Sequence, residues 1–243
     1  MADTYIFRRV EKKYQLTLAE RDALLTEIMD RLEPDVYGKS TVCSLYLDTP
    51  DRILIRNSIE AKGFDNVAYK EKLRIRSYGT PRPDSKVFLE IKKKYKGVVY
   101  KRRVVTTFEK ARHYLDTGEK PLESQIMEEI EYARNFYRGL GPAMMICCER
   151  EAYSVKDMPH LRLTFDTGIR GRDWDLSLAK GTEGTPLLPE DAVLMEVKTD
   201  GAMPLWLSHA LDRHKLYPSS FSKYGAAHLR TLSNTLRPKT ENG

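Results

Sequence analysis

The stretch KEKLRIRS, residues 70–77, carries a cationic side chain at every second position. Successive side chains of a β-strand point to opposite faces, so the four cations would share one face while Leu73 and Ile75 share the other. An antiparallel sheet with one solvated face commonly produces this pattern, and so does a barrel whose charged face points inward. The two folds differ in which face is the inside.

Strand-like segments recur along the chain, separated by amphipathic ones. We predict strands over about 5–14, 41–48, 67–77, 86–95, 98–107, 143–153, 161–168 and 192–199. Apolar spacing predicts helices over about 17–32, 107–117, 121–138, 204–216 and 224–235. The first of these helices has Thr17 as its cap and Glu20 as the partner in a capping box. Residues 169–191 are predicted as a loop with room for a short strand, and Lys96-Gly97 as a hairpin turn.

Length and charge limit the possible functions. The 243 residues carry a formal net charge of +6, and 31% of them are charged. This length suits one domain, which we predict over 1–243, with a core at about 5–230 and a polar tail at 236–243. The positive charge favours an anionic partner, and nucleic acid, a membrane surface and phosphorylated small molecules all fit that description.

Cysteine usage and hydropathy predict a cytoplasmic protein. Cys43, Cys147 and Cys148 form an odd set with two adjacent members, which gives neither a disulfide framework nor a C-x-x-C metal pair. No run approaches the roughly eighteen apolar residues of a membrane span, and the first residues contain no apolar signal region. We therefore expect no membrane segment in this chain.

The composition of the charged faces favours the barrel. These faces are dominated by Arg and Lys with isolated Glu, whereas a solvated face usually mixes both charges with Thr, Ser and Gln. The amphipathic helices need an apolar surface to pack on, and the other faces of the strands would supply it. The spacing Glu-x-Lys also recurs, at Glu11/Lys13, Glu90/Lys92 and Glu196/Lys198. We expect an α+β fold in which a closed antiparallel β-barrel holds its charged faces inside, with helices around it.

Such a lumen needs anions. Two cations about 6 Å apart repel by roughly 3 kcal/mol at an effective dielectric constant near 20, so many of them cannot stay together without counter-charges or water. A polyanion fits because each phosphate offers several acceptor oxygens to Arg and Lys. The inward Glu residues are then candidate ligands of a divalent cation that bridges carboxylate and phosphate.

Several short motifs, taken in order, resemble those of one family. They are Glu11-x-Lys13-Tyr14, SLYLDT (44–49), Lys72-x-Arg74-x-Arg76, VFLEIKKKYKG (87–97), YKRR (100–103), ERE (149–151), LRLTFDT (161–167), LMEVKT (194–199) and FSKYG (221–225). From about residue 5 to 230 the chain resembles the VTC (vacuolar transporter chaperone) domain, a branch of the triphosphate tunnel metalloenzymes. The resemblance implies an eight-stranded antiparallel tunnel and an ATP-dependent polyphosphate polymerase that requires Mn²⁺ or Mg²⁺.

The resemblance also implies roles for individual residues. Those with catalytic roles are Lys72, Arg74, Arg76, Arg150, Arg162, Glu196 and Lys198. Those that bind substrate phosphates are Lys13, Lys92, Lys101, Ser222 and Lys223. Glu196 would be the main metal ligand, with Glu11 and Glu90 as helpers. Plainer roles stay open, because Lys101 could be a surface charge, Glu11 could pair with Lys13, and Ser222 could be only a helix cap.

One departure from the wider superfamily bears on the reaction. The CYTH triphosphatases and cyclases resemble one another in an N-terminal Glu-x-Glu-x-Lys, whereas this chain has Arg9-x-Glu11-x-Lys13. The missing carboxylate favours the VTC branch over a hydrolase that positions water with several acidic groups. There is also no P-loop motif G-x-x-x-x-G-K-[ST], so side chains would hold the nucleotide.

Three functions therefore remain open. The first is the polymerase, with ATP and polyphosphate as partners. The second is a tunnel triphosphatase that hydrolyses inorganic or nucleoside triphosphate. The third is a non-catalytic binder of polyphosphate or nucleic acid. Specific nucleic-acid binding is not expected, because Tyr69, Tyr78 and Tyr100 lie only at the margins of the basic faces or on the opposite face. A membrane partner and the oligomeric state stay open.

Overall fold

The computed structural model describes residues 10–60, 69–95 and 98–236. Its strands are β1 (Val10–Thr17), β2 (Leu32–Asp48), β3 (Lys70–Tyr78), β4 (Lys86–Tyr95), β5 (Val98–Thr107), β6 (Gly141–Val155), β7 (Met158–Arg172), β8 (Thr185–Pro186) and β9 (Ala192–Thr199). Its helices are α1 (Leu18–Ile28), α2 (Ile53–Glu60), α3 (Phe108–Thr117), α4 (Gln125–Phe136), α5 (Leu205–Arg213) and α6 (Lys223–Leu236). The predictions for Arg9, for the strand starts at 5–9 and 67–68, for the Lys96-Gly97 turn and for the tail at 237–243 lie outside the described residues.

Eight long strands form one antiparallel sheet, as predicted. Their order is β1-β9-β7-β6-β2-β3-β4-β5, and the short strand β8 pairs with β7. The sheet curls into a half-barrel, since Lys92 of β4 contacts Glu11 of β1 although these strands lie near opposite ends of this order. The α+β class is therefore confirmed. The predicted closure of the barrel is not confirmed, because within the described residues β1 and β5 do not pair with each other.

A chain segment before α6 passes over the open side of this half-barrel. The amide of Ser219 donates to the carbonyl of Lys13 on β1 at 2.7 Å. The ammonium group of Lys13 donates in turn to the carbonyl of Phe221 at 2.8 Å. Ser222 accepts a 2.8 Å hydrogen bond from Lys72 of β3. Residues 219–222 thus connect the edge strand β1 to the interior of the sheet.

The convex face of the sheet is apolar and covered by helices. Leu73 and Ile75 of β3, each 2% exposed, pack with β4 and with helices α3 and α4. At the other end of the sheet, Met195 of β9 and Leu163 of β7 are fully buried against α1 and α5. Removing this apolar surface from water drives the helices onto the sheet. The question raised by residues 70–77 is thus answered, since the apolar face lies under helices and the cationic face lines the concave side.

The concave face is charged only in part. Next to its charged residues lies an apolar cluster that includes Tyr46, Cys148 and Leu194 from the strands. Helices α2 and α6 cover this cluster, and Tyr224 of α6 stacks on Tyr46 with 4.7 Å between ring centroids. The expectation of a uniformly charged interior therefore needs correction, because α6 occupies one region of it with apolar contacts.

The helices follow the predictions with two exceptions. Thr17 caps α1 through the predicted capping box with Glu20, but the α-helix ends at Ile28, where a 3-10 turn (Met29–Arg31) leads into β2. Helix α2 was not predicted. Its first amides are held by Asp48, whose two carboxylate oxygens accept from the N–H groups of Leu54 at 2.9 Å and Ile55 at 3.0 Å. These bonds satisfy donors that a helix start leaves without partners.

Candidate active site

One wall of the concave face, built by β3, β4 and β5, centres on Glu90. This carboxylate is 3% exposed and lies directly opposite Arg74 in the strand register. Its Oε2 accepts from the Nε of Arg74 at 2.6 Å, and its Oε1 lies 2.6 Å from the Nζ of Lys101. Burial by itself would raise the pKa of Glu90, but Arg74 and the neighbouring Arg76 hold that pKa well below its ordinary value. Glu90 is thus an ionised anchor for two cations.

The same wall continues with cations that have no carboxylate so close. Arg76 donates from its Nε to the hydroxyl of Ser44 at 3.2 Å, and Lys72 donates to Ser222. Burial lowers the pKa of Lys72 to about 8, and repulsion by Lys13 and Lys92 contributes to this fall. Unmatched, partly buried positive charge of this kind favours binding of an anion.

The opposite wall, built by β1, β9 and α6, centres on Glu196. The Nζ of Lys198 lies 2.8 Å from its Oε2, and the Nζ of Lys13 and of Lys223 lie 3.5 Å and 3.7 Å from its Oε1. Arg150 of β6 is at 3.9 Å. Burial would raise the pKa of Glu196, but Lys198, Lys223 and Lys13 hold it well below the ordinary value. Glu196 is therefore ionised and surrounded by cations.

Asp166 of β7 belongs to this wall and was not among the predicted site residues. Its side chain is fully buried and accepts two hydrogen bonds from Arg150, each 2.6 Å long. Lys223 forms a further ion pair with it. Asp166 thus fixes the direction of the Arg150 guanidinium. Alternation in LRLTFDT (161–167) puts Asp166 on the same face as Arg162, but nothing in the sequence distinguishes its carboxylate from a solvated one.

The N-terminus of α6 enters the site between the two walls. The hydroxyl of Ser222 caps the helix by accepting from the amide of Gly225 at 3.1 Å, and it also accepts from Lys72. The sequence left open whether Ser222 contacts phosphate or only caps a helix. The two roles are compatible, because the same hydroxyl caps α6 and faces the cations of the site. Lys223, the next residue, reaches Asp166 and Glu196.

Three predicted residues lie nearer the rim. The side chains of Lys92 and Lys101 are 35% and 40% exposed. Arg162 of β7 is directly opposite Lys198 in the register, yet its guanidinium pairs with Asp35 at 3.0 Å and its side chain is 43% exposed. The concave face thus brings the other predicted residues together, while the guanidinium of Arg162 is anchored to Asp35 at the rim.

The carboxylates of the site could hold a divalent cation if substrate phosphates supplied further oxygen ligands. The Nζ of Lys13 lies between Glu11 and Glu196, at 3.7 Å and 3.5 Å from their oxygens, so these two carboxylates converge on one cation. In the described part of the chain, no three His, Cys, Asp or Glu residues are close enough to hold a metal ion. Magnesium-like ions commonly take one or two carboxylates and fill the remaining positions with phosphate and water. The donor set at Glu196 and Glu11 suits that pattern.

Comparison with solved structures supports the fold. A candidate adenylate cyclase from Bacillus halodurans superposes with a TM-score of 0.55 at 11% identity, covering 89% of this chain and 95% of that one. A candidate adenylyl cyclase from Hippeastrum, described as having a dominant triphosphatase activity, superposes with a TM-score of 0.50 at 15% identity, covering 95% and 98%. At these identities the likeness extends to the fold alone.

Comparison of the sequence gives the family. No curated protein sequence matches the chain at a significant level. Within the described residues, no helix is long and apolar enough to cross a bilayer. The VTC domain profile matches residues 8–231, which is nearly the whole chain and includes both walls of the site. The chain therefore belongs to the VTC domain family and has the fold of a triphosphate tunnel domain.

Proposed function

We propose that this protein is a polyphosphate polymerase, which transfers the γ-phosphate of ATP onto a growing polyphosphate chain. The observation that carries the proposal is the concave face itself, where the cationic side chains of two walls outnumber the carboxylates between them. Such a site suits a ligand with many phosphates, because each phosphate matches one or two of the cations. Membership of the VTC domain family and the tunnel fold support a phosphoryl-transfer enzyme.

The chain's own residues would act by position and charge. Lys72, Arg74 and Arg76 would hold the triphosphate of ATP on the first wall. Lys13, Arg150, Lys198 and Lys223 would hold the end of the polymer on the second wall. Phosphoryl transfer demands alignment of the attacking and leaving oxygens and stabilisation of spread negative charge, so no covalent nucleophile is required. Glu90 and Asp166 would keep Arg74 and Arg150 aimed at the phosphates.

A divalent cation fits beside Glu196, with Glu11 as a second ligand. When bound, such an ion would neutralise charge on the transferring phosphoryl group. Binding there requires that Lys13 and Lys198 turn away from Glu196, and the phosphates offer these lysines other acceptors. Whether the ion is Mn²⁺ or Mg²⁺ stays a prediction from the family resemblance, as does the help of Glu90 in holding it.

A tunnel triphosphatase is the second candidate, and the activity described for the Hippeastrum protein is the reason to keep it. Hydrolysis needs a group that orients and activates water. In the described part of the site, Glu11, Glu90, Asp166 and Glu196 are each paired with Lys or Arg, so none is poised as a base. This pairing favours transfer to a phosphate acceptor over transfer to water. A non-catalytic binder would use the same cations without turnover.

One assay separates the three functions. The purified chain is incubated with ATP and Mn²⁺, and the products are resolved on a gel that retains long polyphosphate. Chain growth with release of ADP supports the polymerase. Release of orthophosphate without polymer identifies the triphosphatase, and no conversion of ATP indicates a non-catalytic binder. Glu196→Gln should abolish turnover and keep affinity for polyphosphate. Glu149→Gln, on the convex face and paired with Arg170, is the matched control and should keep full turnover.

The wider setting of this reaction stays a prediction. A cytoplasmic location and a single domain over 1–243 are sequence-based expectations, and a membrane partner that would receive the polymer stays open. Fractionation of cells that express the tagged chain would test the location directly.

A further inference from the structure

In the described part of the chain, the buried polar side-chain atoms without a partner belong to one region of the candidate site. Among the described residues there are three of them, the Nε of Arg162, the Oγ1 of Thr164 and the Oγ of Ser219. Native proteins satisfy nearly all buried polar groups, so an exception calls for an explanation such as an absent ion, water or ligand. That all three lie on one wall of the candidate site points to a common cause.

The strand register places these atoms around Glu196. Thr164 of β7 lies directly opposite Glu196 of β9, and Glu196 lies opposite Lys13 of β1. Lys13 forms an isolated bridge with Ser219, which extends the row by one more residue. Directly opposite residues of neighbouring strands project to the same face. A single row across the concave face therefore runs from Thr164 through Glu196 and Lys13 to Ser219.

Arg162 stands in the adjacent row. It is two residues before Thr164 on β7, so both side chains point to the concave face. The guanidinium of Arg162 is anchored to Asp35 through its terminal nitrogen, while its Nε donates to nothing. Thr164 is 1% exposed, with Ala152 opposite it on β6, and a methyl group offers no partner for its hydroxyl. The Nε of Arg162 and the hydroxyl of Thr164 are thus held in place by neighbours that accept no hydrogen bond from them.

We propose that the Thr164 hydroxyl is a donor reserved for a phosphoryl oxygen of the bound polyanion. It would act beside the Nε of Arg162, whose role at the phosphates the family resemblance already implies, and the Ser219 hydroxyl would contact the same polyanion at the other end of the row. An anion is favoured over a cation because the Nε of Arg162 can only donate. The ammonium groups of Lys13 and Lys198 now lie against Glu196, and they uncover this row when they turn to the phosphates. The inference rests on the proposed function only in taking a phosphate chain as the ligand.

Removing a buried hydroxyl that is unpaired until a ligand binds should weaken ligand binding without destabilising the unliganded protein. An unpaired buried hydroxyl costs stability, so Thr164→Val, which keeps the shape and removes the hydroxyl, should leave the unliganded melting temperature unchanged or higher. The same variant should bind inorganic tripolyphosphate about tenfold more weakly, because it loses a hydrogen bond to a charged acceptor. Thr164→Ser keeps the donor and should bind within about threefold of wild type.

Thr199→Val provides the matched control. Thr199 is also buried on the sheet, but it lies on the convex side and its hydroxyl accepts from the amide of Gly201 at 3.2 Å. Its removal should lower the melting temperature and leave tripolyphosphate affinity unchanged. Opposite effects of one chemical change at two buried threonines would separate a binding role from a structural one. Ser219→Ala should behave like Thr164→Val, with a smaller loss of affinity.

The measurements are calorimetric titration with tripolyphosphate in metal-free buffer and thermal unfolding without ligand. Unchanged affinity of Thr164→Val would overturn this inference, and so would a clear fall in its unliganded melting temperature. If wild type binds tripolyphosphate while Thr164→Val binds equally well, only this inference fails. If wild type does not bind tripolyphosphate at all, the proposed function fails with it.

Discussion

Lys92 of β4 reaches Glu11 of β1 across the open side of the half-barrel, with 3.3 Å between Nζ and Oε2. Their side chains are 35% and 20% exposed. An ion pair with this much solvent contributes only about 0–1 kcal/mol, so it does not hold the two edges together. The pair instead shows that β4 and the edge strand β1 approach each other around a shared charged interior.

Glu11→Gln tests whether Glu11 is more than the partner of a lysine. We expect the free energy of unfolding to change by less than about 1 kcal/mol, because the ion pairs that are lost are partly open to solvent. The Mn²⁺ concentration for half-maximal turnover should rise, because the ion would lose an oxygen ligand. Lys92→Met removes the same pair but keeps the carboxylate, so its metal requirement should stay at the wild-type value. Equal shifts in both variants would reduce Glu11 to an ion-pair partner.

Asp166→Asn tests the buried anchor that the sequence did not reveal. The variant leaves Arg150 and Lys223 without their closest counter-charge, and removing one partner of a buried pair typically costs about 3 kcal/mol. Tripolyphosphate should restore much of this stability, because its charge replaces that of the carboxylate. The measurement is urea unfolding with and without tripolyphosphate. Asp200→Asn, which loses only an exposed contact to His160, is the control and should change stability by less than about 0.5 kcal/mol.

The alternation of side chains was sufficient to predict most strands and the faces of β3. Period two is a property of the strand itself, so it can be read from residues 70–77 alone. Helix α2 could not be recognised in the same way, since ILIRNSIE is short and rich in β-branched residues. Its start is secured by Asp48, which also accepts from the hydroxyl of the distant Tyr224 at 2.8 Å. The sequence Asp48-Thr49 before the helix was the available signal, because both residue types are frequent caps.

The partners of the charged residues could not be predicted, because cross-strand register is set by tertiary packing. Glu90 and Glu196 occur in the same Glu-x-Lys spacing, yet the register puts Glu90 opposite Arg74 and Glu196 opposite Lys13. The two glutamates therefore belong to different walls. Closure of the barrel was expected from the composition of the charged strand faces and from the family resemblance, but within the described residues β1 and β5 do not pair with each other.

Glu90→Gln tests whether Glu90, which lies on a different wall from Glu196, takes part in holding the metal. Since Arg74 and Lys101 occupy both oxygens of Glu90, we expect the variant to raise the KM for ATP by loosening these cations. The Mn²⁺ concentration for half-maximal turnover should stay at the wild-type value, in contrast to Glu11→Gln. A raised metal requirement would instead support the sequence-based expectation that Glu90 helps to hold the metal.

Lys101 and Arg102 are adjacent on β5 and project to opposite faces of the sheet. Substituting each in turn tests whether the concave face is the one that binds the anion. Lys101 pairs with Glu90 inside, whereas Arg102 pairs with Glu129 of α4 on the convex side. Lys101→Met should weaken tripolyphosphate binding about tenfold, the effect of losing one charge-assisted hydrogen bond. Arg102→Met should leave the affinity unchanged and cost about 1 kcal/mol of stability or less. Equal effects on affinity would contradict the placement of the two faces, and calorimetric titration measures both.

Two lysines of the site have lowered pKa values, so a rise in pH should weaken anion binding and increase the stability of the unliganded protein. Although 40% of the Lys101 side chain is exposed at the rim, burial of its amine beside Glu90 lowers its pKa to about 7; the charge of Glu90 opposes this fall, while Arg74 and Arg76 add to it. Burial likewise lowers the pKa of Lys72 to about 8. Since the ordinary lysine pKa is 10.5, the unfolded chain binds more protons than the folded one above pH 7, and the unliganded protein should become more stable as pH rises towards 10.

Anion binding should change in the other direction. A neutral amine no longer attracts phosphate, so the affinity for tripolyphosphate should fall between pH 7 and 9 as Lys101 and Lys72 lose their protons. Lys101→Met supplies the control, because titration of the ligand itself affects both proteins equally. The ratio of wild-type to variant affinity should therefore be largest near pH 6.5 and approach one by pH 9. A ratio that is constant over this range would show that Lys101 keeps its proton in the site, and would remove it as the source of the pH dependence.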